Sequence, residues 1–138
     1  MKRTTKVFLL NVIFPLFLGL LIYLFFKHGT HINVIFHYES NIHLGGLLGR
    51  VIQSWSTDIL WAYSLTCLLF YLSEPFSDSL IKYLIFVGEA IFFILMELLQ
   101  KFSIINGTFD IFDIITEIIT LIFAVFICNK VNRKNLNY

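Results

Sequence analysis

The chain has 138 residues, of which 58% are hydrophobic and 14% charged, with a mean hydropathy of +0.83 and a net charge of +1. A soluble domain of this size carries nearly twice that share of charge, so a soluble globule is set aside in favour of one membrane domain covering the whole chain. No dense basic patch accompanies the balanced charge, which argues against a nucleic-acid partner.

Lys2, Arg3 and Lys6 form a basic start, and Val7 to Phe26 is then apolar apart from Asn11. A run of about 20 such residues crosses about 30 Å of hydrocarbon. It ends in bulky residues at Tyr23-Leu24-Phe25-Phe26, unlike the small-residue end of a cleaved signal peptide, so it reads as a first transmembrane helix with a kink at Pro15. The polar segment from Lys27 to Thr57 holds all four histidines, His28, His31, His37 and His43, at spacings that match no metal motif. Inside it, Leu44 to Trp55 is short, apolar and glycine-rich. It is too short to span and reads as an interfacial or re-entrant helix. Arg50, within this piece, is either a lipid-headgroup contact or a counter-ion for acids elsewhere.

Ser56-Thr57-Asp58 carries three good N-cap types and marks a helix start. Asp58 to Ser73 is the second span, with Trp61 and Tyr63 placed for an interfacial aromatic belt. Ser64 and Thr66 can bond back to their own helix or across to a neighbour. Ser73 to Ser79 is a turn containing Pro75, Leu80 to Leu99 the third span, Phe109 to Cys128 the fourth, and Asn129 to Tyr138 a polar tail. Cys67 and Cys128 both fall in apolar runs and read as small core residues rather than a disulfide framework or a metal site. The predicted fold is therefore all-α: an integral membrane protein of four transmembrane helices, with the short helix in the first outward loop.

Lys2, Arg3, Lys6, Lys82, Lys130, Arg133 and Lys134 lie on the side of the termini, against Lys27, Arg50 and Lys101 on the other. The positive-inside rule then places both termini in the cytoplasm and the loop at Asn106-Gly107-Thr108 outside.

Acids crowd one stretch, Glu97 to Glu117. On a helix, Asp110, Asp113 and Glu117 fall within about 60° of one another, and Glu89, Glu97 and Gln100 within about 80°. A short loop joins the two helices, so these faces are expected to meet as a ladder, with Glu97, Gln100, Asp110 and Asp113 as the outer rung and Glu89 and Glu117 as the inner one. Ionisable groups at membrane depth are costly and mark candidate binding residues. Crowded carboxylates in low dielectric cannot all be ionised, so Glu89 and Glu117, the deepest, are expected to carry protons and to hydrogen-bond across helices. Asp110 also suits the cap of its helix. The outer rung could hold a cationic or hydroxyl-rich group, take a divalent ion on oxygen ligands, or supply an acid and a base. No nucleophile elbow or phosphate-cradling loop accompanies it, and no cofactor is indicated.

Glu97-Leu98-Leu99-Gln100, a short loop with Gly107, and then Asp110-Ile111-Phe112-Asp113 resemble the signature of the VanZ-like family of small bacterial membrane proteins. Thr57-Asp58-Ile59-Leu60-Trp61-Ala62-Tyr63-Ser64-Leu65 is similar to a segment often found upstream in that family, and the resemblance runs from about Trp55 to Cys128. Two departures stand out. Many members carry an arginine shortly before the first aspartate, where this chain has Gly107-Thr108. Many carry an Asn and small residues later in the fourth helix, where this chain has Glu117 and no glycine. The acids here would need Arg50 or Lys101 as counter-ion, or would keep their protons.

The family is named for a protein linked to low-level resistance to the glycopeptide teicoplanin. The resemblance thus implies the cell envelope and antibiotic resistance, without a defined reaction. It favours a non-enzymatic binder whose outward acidic cleft faces membrane lipid, a lipid-linked cell-wall precursor or a glycopeptide, with homo-oligomerisation open. The competing readings are a proton-coupled carrier using Glu89 and Glu117, a membrane enzyme on a lipid-linked precursor with Glu97 and Asp113 as acid and base, and a structural partner of another membrane protein.

Overall fold

The protein is described here from a computed structural model covering residues 3–26, 46, 49, 51, 55–105 and 109–136. Among these residues the chain is all helical, with no strand. The histidines, Arg50, Asn106-Gly107-Thr108 and most of the expected interfacial helix lie outside them.

Helix α1 runs without a break through Arg3–Phe8, a π-helical segment Leu9–Ile13, and Phe14–Phe26. The disturbance expected at Pro15 takes the form of this widened turn. Proline has no N–H, and its ring crowds the carbonyl four residues back, here that of Asn11. The backbone answers by bonding one residue further, Phe14 N–H to the Leu9 carbonyl. The neighbouring polar groups bind the next helix: Ser64 Oγ donates to the Val12 carbonyl at 2.7 Å and the Tyr63 hydroxyl to Asn11 Oδ1 at 2.7 Å. Asn11 Nδ2 in turn donates to the Val7 carbonyl at 2.9 Å.

Helix α2 is Ser56–Ser73, α3 is Ser79–Lys101 and α4 is Ile111–Leu136. The cap expected on α2 differs. Trp55 holds the N-cap position without a side-chain bond, and Asp58 lies inside the first turn. Helix α3 starts on Asp78, whose Oδ1 accepts from the Leu80 N–H at 2.8 Å. It ends in a Schellman-type closure, with Ile104 N–H on the Leu99 carbonyl and Ser103 N–H on the Gln100 carbonyl, both at 2.9 Å, and Ser103 at φ 57°. Asp110 caps α4 through Oδ1 to the Phe112 N–H at 2.9 Å. Helix α4 continues past the expected end at Cys128 into the polar tail.

Three of the four helices are long and apolar enough to cross a membrane: Thr5–Phe26, Ser79–Lys101 and Ile111–Val131. The expected second span, α2, forms as a helix but is not among them. It is the hub, packing most extensively against α4 and α1 and also against α3. Its polar residues are spent there: Thr57, Ser64, Thr66 and Ser73 are all buried. The interior consists of small and polar groups, with Val12, Cys67, Ala124 and Cys128 in one cluster and Ala62, Phe93 and Leu121 in another. Large apolar residues such as Phe17, Ile91, Phe92, Ile122 and Phe123 face outward. Small residues between helices and bulky ones outside are the arrangement that hydrocarbon solvent favours. At Gly19 an added Cβ would stand 2.6 Å from two ring atoms of Trp61, so only glycine admits this approach of α1 to α2. Trp61 also packs on Tyr23, with ring centroids 5.7 Å apart.

Candidate functional site

The acids of α3 and α4 meet at the loop end of the two helices, through a backbone contact. Glu97, 5% exposed, accepts from the Asp110 N–H on Oε2 at 3.1 Å. The Asp110 side chain caps its own helix, and the Asp110 carbonyl accepts from the Asp113 N–H at 3.1 Å. The last turn of α3 is thus clamped to the first turn of α4, and Glu97 serves as an acceptor for one of the backbone N–H groups that a helix start leaves unpaired. Gln100 is half-buried on the last turn of α3. Lys101 lies over the Phe109 ring, 5.2 Å from its centroid, which holds a cation at this end of the bundle.

Glu117 lies further along α4. The charges of Asp58 on α2, Glu97 on α3 and Asp113 on α4 act on its half-buried carboxyl group. Glu117 Oε2 has no hydrogen-bond partner among the described residues, and neither has the hydroxyl of Thr57, which is 1% exposed and adjacent to Asp58. The sequence reading missed Asp58 as a member, taking it for a cap. Its only sequence signal is an acid in the first turn of a helix whose other polar groups face inward.

Glu89 is placed elsewhere. It is 4% exposed, and its Oε1 lies 2.7 Å from Thr66 Oγ1 on α2. The same hydroxyl lies 2.9 Å from the Ala62 carbonyl, so Thr66 makes both the contacts open to it, along its helix and across. One hydroxyl hydrogen cannot serve both acceptors fully. Thr66 Oγ1 therefore donates to Glu89 Oε1 or to the Ala62 carbonyl, sharing one hydrogen between them. Glu89 Oε2 has no partner among the described residues. Glu89 makes the expected hydrogen bond across helices, and its partner is Thr66 on α2. Helical rotation explains this, because α3 presents Glu89 and Glu97 to different neighbours.

Chemically, the outer set offers several oxygen acceptors. Among the described residues no group of three or more His, Cys, Asp or Glu has the geometry to hold a metal ion. A cleft of about 470 Å³ opens at the other end of the bundle, lined by Phe70, Ser73, Glu74, Lys82, Phe86, Val125 and Asn129, away from the acids. No family model matches the chain, and neither a curated protein nor a solved structure matches it.

Proposed function

We propose that this is a multi-pass protein of the bacterial plasma membrane, similar to the VanZ-like group, with both termini cytoplasmic and α2 crossing beside the three more apolar helices. Its acidic set at the loop end faces outward and binds a cationic or hydroxyl-rich group of an envelope component, a lipid-linked cell-wall precursor or a glycopeptide, without catalysing a reaction. The observation that carries this reading is the buried Glu97 carboxylate clamping the Asp110 N–H beside Glu117, one of whose oxygens has no hydrogen-bond partner among the described residues, with the charges of Asp58, Glu97 and Asp113 acting on it. Such a gathering of like charge is unfavourable for folding alone and gains its reason from a ligand that neutralises it.

The test is teicoplanin and vancomycin susceptibility in a Gram-positive host carrying empty vector, the wild-type chain or Asp113→Asn, with membrane levels checked by an epitope tag. Raised teicoplanin tolerance with wild type, lost in an equally abundant Asp113→Asn, supports the proposal. Unchanged tolerance with normally expressed wild type removes the link to glycopeptides.

A further inference from the structure

The cleft away from the acids lies where the end of α2, the first turns of α3 and the second half of α4 come together. Its volume of about 470 Å³ suits a small-molecule site, since such sites occupy about 300–1,000 Å³. Glu74, the C-cap of α2, and Lys82, on the first turn of α3, both line it. No ion pair joins these two charges among the described residues. Asn129 brings an exposed amide from α4, able to donate and to accept. Phe70 and Phe86 form the apolar side, with ring centroids 6.4 Å apart. The Ser73 hydroxyl donates to the Phe70 carbonyl at 2.7 Å and fastens the end of α2 that carries Glu74. Lys82 falls in the first turn of the apolar stretch Ser79–Lys101, and Asn129 in the last turn of Ile111–Val131. In a bilayer this depth is where hydrocarbon gives way to lipid headgroups.

We propose that this cleft binds the head of a phospholipid carrying both a phosphate and a primary ammonium, as phosphatidylethanolamine does. The phosphate meets Lys82 and the Asn129 amide, the ammonium donates to the Glu74 carboxylate, and the glycerol end lies on Phe70 and Phe86. Both charged contacts are charge-assisted hydrogen bonds, stronger than neutral ones. The two opposite charges decide the class of lipid. An anionic headgroup would satisfy Lys82 and be repelled by Glu74. A choline headgroup has no N–H to give to Glu74. A soluble zwitterion would leave the aromatic side of the cleft uncovered. The inference rests on the reading of the helices as membrane-spanning and is independent of the ligand assigned to the acids.

The test is native mass spectrometry of the full chain in detergent micelles, titrated with phosphatidylethanolamine, phosphatidylcholine or phosphatidylglycerol of the same acyl chains. Expected is one tightly held phosphatidylethanolamine per chain, bound about tenfold more tightly than either other lipid, as one charge-assisted hydrogen bond implies. Glu74→Gln should erase the preference over phosphatidylglycerol, and Lys82→Gln should weaken phosphatidylethanolamine about tenfold. Lys6→Gln removes an exposed cation that does not line the cleft and should bind as wild type does. Equal binding of all three lipids by a chain that needs detergent overturns the proposal and leaves the membrane reading standing. Phosphatidylglycerol binding best, through Lys82 alone, also overturns it, as does displacement of the lipid by an equal concentration of soluble phosphoethanolamine. A chain recovered in solution without detergent removes the membrane reading and this inference with it.

Discussion

Thr66 Oγ1 and Glu89 Oε1 stand 2.7 Å apart at the buried crossing of α2 and α3, and both side chains are almost fully enclosed. The pair supplies the polar contact between two helices that otherwise touch through Ala62, Leu65, Ala90 and Phe93. Interhelical hydrogen bonds in membrane proteins contribute about 0.6 kcal/mol on average and up to about 1.7 kcal/mol. Thr66→Val should therefore lower stability by about 1 kcal/mol in a detergent unfolding assay. Glu89→Gln, which keeps an oxygen acceptor for Thr66, should cost less than Glu89→Leu. A double-mutant cycle between the two positions that shows no coupling would sink this account.

Glu97 should act on the junction of α3 and α4 through the Asp110 amide, whose N–H it accepts at 3.1 Å. In Glu97→Leu that amide loses its acceptor. Its hydrogen exchange should speed up about tenfold, corresponding to about 1.4 kcal/mol of local opening. Glu97→Gln keeps a side-chain oxygen and should exchange nearly as slowly as wild type. Equal exchange in all three proteins would show that the bond contributes nothing.

The charges of Asp58, Glu97 and Asp113 act on Glu117, and one of its oxygens has no hydrogen-bond partner among the described residues. Where the carboxyl group is ionised it repels those neighbours, so Glu117→Gln is expected to melt at a higher temperature than wild type at alkaline pH. A site kept for binding commonly gains stability when it is dismantled. The same variant should then lose any glycopeptide phenotype that wild type confers. A lower melting temperature in Glu117→Gln would mean that the carboxyl group is structural.

Ser103 adopts φ 57° at the end of α3, a conformation that suits glycine. Ser103→Gly should stabilise the protein by up to about 1 kcal/mol, seen as a raised unfolding midpoint. Its side chain is exposed, so no packing is lost. An unchanged or lower midpoint would argue against the left-handed turn.

Gly19 lets Trp61 of α2 lie directly on α1. Gly19→Val should cost about 1–3 kcal/mol by overpacking and should shift Trp61 fluorescence. Trp61→Leu in the same chain should recover part of the loss. Failure of that rescue would place the cost in the backbone of α1 rather than in the contact.

The sequence by itself determined that the chain is helical and where the helices run, because long apolar stretches separated by Pro, Asn and Gly have few other ways to satisfy their backbone. It also placed Glu97 near Asp110 and Asp113, since consecutive helices joined by a short loop must bring their adjoining ends together. The tertiary structure decided what depends on rotation about the helix axis and on contacts between helices that are not neighbours in sequence. Asp58 joins Glu117 from the far end of the chain order, Glu89 turns away to Thr66, and Cys67 reaches Cys128. Periodicity defines a face but not the helix that will cover it. In this bundle that choice was made by α2, whose polar groups could find partners only in the interior.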